Sequence, residues 1–444
     1  MILNENEARK LLDRPKKYSK ADSIELVLSG SNSYNLRFAL NSLSTNGFAD
    51  GLSLSVTSNI GRKSGSVSLN KFGDEDIKAA VERSENIARL SPDNNEFVPP
   101  LEPQEYLKSN NFSAETESIS SSYRAGQIEH VIDKSISENL LAAGFFEDEV
   151  SFTAVHNSNG LFAYNLGSLA GFSTTVRTKD GTGSSRSQKQ YVNVKDLNAH
   201  VLSDRAITRS VLSANPKELS PGKYTVILEP AATADMIAYC SYFMDARSAD
   251  EGRSFFSKSG GGNKIGETII DTRATIYSDP TDPKSPSIPF NREGMPRNKI
   301  HWFENGVLRN LTRSRFWAEK TGQPAVPFYS NLIMEGTDKS LEEMIASTDY
   351  GILVTRFWYI RTVDPRTILL TGLTRDGLFE IKDGKIAGSV KNFRFNESPI
   401  GVLSNILDIG QAENAVGAET GNQQMHVPPL KVKDFYFSSL SDAI

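Results

Sequence analysis

At 444 residues the chain is too long for one ordinary domain, and about 150 residues per domain points to two or three. A hydrophobic fraction of 38% with 23% charged residues is that of a folded globular protein and excludes a low-complexity chain. The net charge of −5, with no run of Lys and Arg beyond pairs such as Lys16-Lys17, argues against nucleic acid as the main partner.

Residues 4–13 read as a short helix, broken near Pro15. Alternation then takes over: Ile24, Leu26 and Leu28 share one side of a strand, as do Leu52, Leu54 and Val56 further on. Gly and Asn-Ser pairs between them supply the turns of an antiparallel meander. A helix follows, with Asp74 as its cap and Ile77, Ala80, Val81, Ser84, Ile87 and Ala88 on one face; Pro92 stops it. Residues 91–103 hold four prolines and several Asp and Asn, the composition of a linker or an extended crossing.

One or two helices are expected between residues 114 and 136, with Gly126 as an interruption. Residues 150–164 read as two strands around Asn157-Ser158-Asn159-Gly160, since Asn-Gly favours turns that match strand twist. The sheet continues through Phe172 to Val176, and residues 204–212 form another helix. The Pro, Ser and Gly of residues 216–222 mark the main domain boundary. This divides the chain into 1–215, with a sub-boundary within 91–113, and 216–444. Beyond the boundary, residues 224–228 form a buried strand and residues 231–245 a helix. Asn305-Gly306, Asp376-Gly377 and Asp383-Gly384 each sit between β-prone runs as hairpin signals. Residues 341–346 form a short helix. The expected class is α+β: an N-terminal α/β part with an antiparallel sheet and helices, and a C-terminal, mainly antiparallel β part.

No local group carries chemistry. The five histidines, His130, His156, His200, His301 and His426, lie far apart, so no H-E-x-x-H or H-x-H zinc clamp exists. There is no G-x-S-x-G elbow and no Walker loop. Gly260-Gly261-Gly262 reads as a flexible loop and residues 180–183 as a turn. Cys240, the only cysteine, sits in the predicted helix with no base or positive field nearby, as a buried structural thiol does. Arg247 and Arg253 flank Asp250-Glu251. They read either as a site gripping the carboxylate of a peptide substrate or as a surface salt-bridge cluster. A single cysteine precludes an intrachain disulfide and fits a reducing cytoplasm. The polar N-terminus lacks a signal-peptide core, and no apolar stretch is long enough to span a bilayer. A cytoplasmic protein with no membrane partner is expected.

The second half carries a resemblance. The stretch from Gly351-Ile-Leu-Val-Thr-Arg-Phe-Trp-Tyr-Ile-Arg-Thr-Val-Asp-Pro-Arg366 through Leu370-Thr-Gly-Leu-Thr-Arg-Asp-Gly377 resembles the TldE (PmbA) branch of the TldD/TldE peptidase family. So do residues 381–395, the Asn396-Glu397-Ser398 that follows, the strand end Val226-Ile-Leu-Glu-Pro230 and the segment Asp250-Glu-Gly-Arg-Ser254. The N-terminal half is similar more loosely, through its layout and the turn at His156 to Gly160. The resemblance implies a dimer enclosing a peptide-processing cavity. In the TldD branch, the helix after the strand end carries H-E-x-x-x-H, with two zinc-binding His and a Glu that activates water. A late cysteine completes that site. Counted from Pro230, the motif falls on Ala238-Tyr-Cys-Ser-Tyr-Phe243, so Ala238 and Phe243 replace the ligands and Tyr239 the base. The late cysteine falls near Ala418 or Glu419. Alanine and phenylalanine offer no donor to zinc.

The resemblance therefore implies no catalytic residue and no metal in this chain, zinc in a TldD-type partner, and a heterodimer that degrades or processes unfolded peptide. A peptide-binding or scaffolding homodimer without chemistry, and a hydrolase with a different site, stand as alternatives. The older family label, modulator of DNA gyrase, finds no support in the acidic composition.

Overall fold

The computed structural model describes residues 1–421 and 423–442. The N-terminal part begins with helix α1 (Glu5–Lys16), started by a reciprocal cap between Asn4 and Glu7. Pro15 lies inside the last turn of α1 and does not break it earlier as expected; the helix simply ends one residue later. Strands β1 (Ser23–Ala39), β2 (Ser42–Ile60) and β3 (Lys63–Leu69) form the expected meander. The turn from β1 to β2 places both Leu40 and Asn41 in the left-handed region. Helix α2 (Asp74–Leu90) packs on β2 and β3. Its cap is Gly73; Asp74 is the first helical residue and reaches sideways to Arg14 instead. The inward face includes Glu85, whereas Ile87 points outward.

Residues 91–113 form no helix or strand and cross to the C-terminal part, where the Tyr106 hydroxyl donates to Gly294 O at 2.7 Å and Ser109 Oγ to Pro280 O at 2.8 Å. Helices α3 (Ala114–Glu117) and α4 (Ser121–Ser137) follow, and Gly126 does not interrupt α4. Strands β4 (Leu140–Asn157), β5 (Phe162–Thr178) and β6 (Ser184–Tyr191) complete a sheet of order β3-β2-β1-β4-β5-β6, antiparallel throughout. Helix α5 (Ala199–Leu212) packs on β5 and β6.

The C-terminal part opens with β7 (Gly222–Leu228), α6 (Pro230–Tyr242) and α7 (Ala246–Asp250). Then come β8 (Ile276–Ser278), β9 (Ile300–Glu304), β10 (Val307–Leu308), α8 (Arg315–Thr321), β11 (Asn331–Met334), α9 (Leu341–Ala346), β12 (Tyr350–Val354), β13 (Phe357–Asp364) and β14 (Leu369–Thr374). The chain finishes with β15 (Leu378–Lys382), β16 (Lys385–Ser389), β17 (Phe393–Glu397), α10 (Pro399–Ser404), β18 (Ile406–Ile409), β19 (Glu413–Asn414), β20 (Gln424–Val427) and β21 (Leu430–Leu440). A six-stranded sheet runs β10-β9-β8-β11-β20-β19, and a nine-stranded sheet runs β13-β14-β17-β21-β7-β12-β15-β16 with β18 on β21. Most pairs are antiparallel; β7 with β12 and β11 with β20 are parallel. The class is therefore α+β, as the sequence led us to expect.

Strand β7 explains its own unbroken apolar run. Val226 and Leu228 enter one core with α6, while Ile227 enters a second core with Met344 of α9 on the other face. Its parallel neighbour β12 does the same, with Ile352 and Val354 on one side and Leu353 on the other. Asn305-Gly306 and Asp383-Gly384 are tight hairpins with both turn residues at positive φ. Asp376-Gly377 is not a hairpin. Strands β14 and β15 lie apart in the sheet, and the Asp376 carboxylate is used as a buried acceptor. No helix among the described residues is long and apolar enough to cross a membrane.

Candidate functional site

Helix α6 starts where β7 leaves the centre of the nine-stranded sheet. Pro230 occupies its first turn, which needs no amide donor there, and the residues that follow are buried almost without a break. Among them is one carboxylate. Asp235 is wholly buried and accepts hydrogen bonds from the backbone amides of Ala418 (3.1 Å) and Glu419 (3.0 Å). Burial pushes its pKa up to about 7, even though the two amides favour the charged form. The loop must come very close: a Cβ on Gly417 would lie 2.3 Å from Asp235 Oδ1.

A second tie lies one turn along. Tyr359 has φ 53°, and the β13–β14 register shifts between Trp358 and Arg361. This bulge turns the backbone of Ile360 away from the ladder. Its amide donates to Glu419 Oε1 (3.1 Å), and its carbonyl accepts from the Tyr239 hydroxyl (2.8 Å). Burial, with Glu419 nearby, raises the Tyr239 pKa. Asp235 and Tyr239 thus clamp the loop of residues 417–420 and the β13 bulge onto α6.

Beside the start of α6 lies a cavity of about 60 Å³ between the two parts of the chain. Strand β6 contributes Arg186 and Lys189, and α5 contributes Arg205 and Arg209. From the C-terminal part come Glu229, Arg356, Glu413 and residues 415–418. Glu229 is buried between Arg205 (2.5 Å) and Arg209 (2.7 Å). Burial alone would raise its pKa, but Arg209 and Arg205 outweigh that and hold it low. Lys189 pairs with Glu413 at 2.8 Å, and burial lowers its pKa. Arg356 pairs with Asp376 at 2.7 Å, and Asp376 also accepts from Ser184 Oγ across the boundary. Arg186 forms no salt bridge among the described residues; burial, together with Arg356, pushes its pKa down to about 10.

The positions singled out from sequence fall as follows. Ala238 is half-buried on α6, and Phe243 lies past the helix end, edge-on to an exposed Tyr242. Tyr239 is the one of the three tied to the β13 bulge, through the Ile360 carbonyl. Arg247 pairs with Glu96 and Glu251, and Arg253 pairs with the same Glu251, on the surface and away from the cavity. Cys240 is buried, and burial raises its pKa to about 12, as for an inert thiol. Among the described residues, no three His, Cys, Asp or Glu side chains converge as metal ligands would. The cavity residues escaped the sequence reading because they come from five separated segments. A lone Asp235 in an apolar helix was the signal available.

Models of the PmbA/TldA metallopeptidase family match the chain twice: domain 1 at residues 24–88 and the C-terminal domain at residues 221–439. A metalloprotease TldD homolog from Buchnera aphidicola is 23% identical over 319 residues, 65% of this chain and 63% of that protein. A metalloprotease from Methanothermobacter thermautotrophicus is 26% identical over 219 residues, 45% of each chain. The match thus spans less than two thirds of these relatives. Among solved structures, TldE from Thermococcus kodakarensis superposes with a TM-score of 0.86 at 19% identity, covering 97% of this chain and 99% of that one. A suggested modulator of DNA gyrase from Bacteroides thetaiotaomicron gives 0.84 at 20% identity, covering 99% and 100%. At such identities these two establish the shared fold. With both family models matched in order along that fold, the chain belongs to the TldD/TldE (PmbA) peptidase family.

Proposed function

We propose that this chain is the TldE-type subunit of a two-chain, cytoplasmic metallopeptidase, shaping the cavity and holding unfolded peptide while a TldD-type partner carries the zinc and the chemistry. The observation that carries this reading is the donor set of α6. Ala238 and Phe243 stand where the resemblance puts the two His ligands, and Tyr239 stands where it puts the Glu. The residues present do not fit a zinc ion: Tyr239 is held by a backbone carbonyl, and the buried Asp235 is occupied by two amides. The likeness to the Thermococcus TldE fold supports the same assignment.

The test is co-purification with a TldD-type chain, followed by metal analysis and peptide cleavage for each chain alone and for the mixture. Stoichiometric zinc in the partner only, and cleavage only when that partner is present, is the expected result. Chelator-sensitive cleavage by this chain alone, with the partner excluded by mass spectrometry, would overturn the reading.

A further inference from the structure

We infer that the cavity between the two parts of the chain is an anion site, and that it takes the free α-carboxylate at the C-terminal end of a bound peptide. The inference rests on the peptide-holding reading above and adds to it where one end of the peptide is fixed.

The first ground is charge. Five cationic side chains line the cavity, Arg186, Lys189, Arg205, Arg209 and Arg356. Against them stand Glu229 and Glu413 in the lining and Asp376 behind Arg356, which leaves a surplus of two positive charges. Placing that surplus in a half-buried space is unfavourable unless an anion joins it. The second ground is a donor without a partner charge. Every other cation here meets a carboxylate at 2.5–2.8 Å, whereas among the described residues Arg186 donates only to Thr175 Oγ1 (3.3 Å) and Gln188 Oε1 (2.7 Å). A guanidinium offers five N–H groups in a planar fork, so donors remain for a planar carboxylate. The third ground is the backbone. The amide of Ala231, in the first turn of α6, has no intrahelical acceptor, and Ala231 lines the same cavity.

Size decides which part of a ligand enters. About 60 Å³ holds a carboxylate head with a few waters and has no room for a side chain. The body of the ligand must therefore stay outside, as the rest of a peptide would.

The experiment measures binding of a labelled unfolded peptide to the full-length chain, with a free C-terminal carboxylate or a C-terminal amide, and with inorganic phosphate as competitor. The acid is expected to bind about tenfold more tightly than the amide. Arg186→Gln should abolish that preference, and Arg186→Lys should retain part of it. Ala231→Pro, which removes one amide donor without changing charge, should weaken the preference severalfold. Thermal melts check that each variant is folded. Equal affinity for acid and amide, unmoved by these changes, overturns the carboxylate site and leaves the peptide-holding reading intact. Saturation by phosphate with no preference for the peptide acid also overturns it. Failure of both peptides to bind overturns the peptide-holding reading and this inference together.

Discussion

Asp235 shows what a single buried carboxylate does in an apolar helix. Its two amide partners fix the 417–420 loop, yet burial dominates and holds its pKa at about 7 against an ordinary value of 3.8. The linkage has a definite sign. The folded state binds a proton that the unfolded state has already lost between about pH 4 and 7, so this position stabilises the fold most at the acid end. Its contribution should fall as pH rises through that window and stay flat above about pH 7. The span is at most on the order of 4 kcal/mol, because each pK unit corresponds to about 1.4 kcal/mol. Asp235→Asn keeps one of the two acceptors and cannot titrate, so its lost bond lowers stability at every pH while the slope reports the titration. Urea denaturation at several pH values between about 4 and 8 should therefore show a flatter profile for the variant; the same slope in both proteins would refute the assignment.

At the scale of elements, α6 was expected as a helix over residues 231–245. The structure agrees for its first three turns. Its end departs: the helix stops at Tyr242, Tyr242 is 69% exposed, and Tyr239 turns its hydroxyl to the Ile360 carbonyl. Phe243 is half-buried rather than a packed core ring, which lowers the cost of replacing it. Ala238→His with Phe243→His should cost about 1–2 kcal/mol, less than the 3–5 of a fully buried ring, and should bring no zinc-dependent cleavage. Phe243 lies outside the helix, so the two histidines would not share the spacing of a helical pair. Thermal unfolding, zinc analysis and a peptide assay on the double variant measure all three outcomes. Stoichiometric zinc with cleavage would mean that this segment still holds a near-complete active site.

Across the whole molecule, the two parts are joined at both ends of their interface. On one side Val155 and Leu161 share a small core with Phe290 and the crossing segment. On the other, Asp376 links Ser184 of β6 to Arg356, and Glu229 receives two arginines from α5. These ties predict one cooperative unfolding transition for the full chain. Asp376→Ala removes the bridge and leaves Arg356, only 15% exposed, without its carboxylate. A loss of about 2–4 kcal/mol is expected, at the lower side of breaking a buried pair because Arg356 still reaches the cavity. Denaturant titration followed by tryptophan fluorescence and by circular dichroism would measure the loss. An unchanged midpoint would mean that the bridge is incidental.

The amino-acid sequence by itself determined the elements that obey local rules. Alternation in residues 24–28 and 52–56, the Asn-Gly and Asp383-Gly384 turns, and the short helix at Leu341–Ala346 all follow from periodicity and turn chemistry within a few residues. It also determined that Ala238 and Phe243, the positions where the resemblance puts two His, offer no donor to zinc, because that depends only on which side chains are present. The cavity was decided by tertiary structure alone. Arg186, Lys189, Arg205, Arg209, Glu229, Arg356 and Glu413 are spread over more than two hundred positions, and each one alone reads as an ordinary surface charge. Asp376-Gly377 carried a hairpin signal, but the strands on either side of it pair elsewhere, which freed its carboxylate to bridge the two parts. Local pattern reports which face of an element is apolar. Which charged residues meet depends on how sheets and helices from distant segments pack, and that information lies in the long-range contacts of the fold.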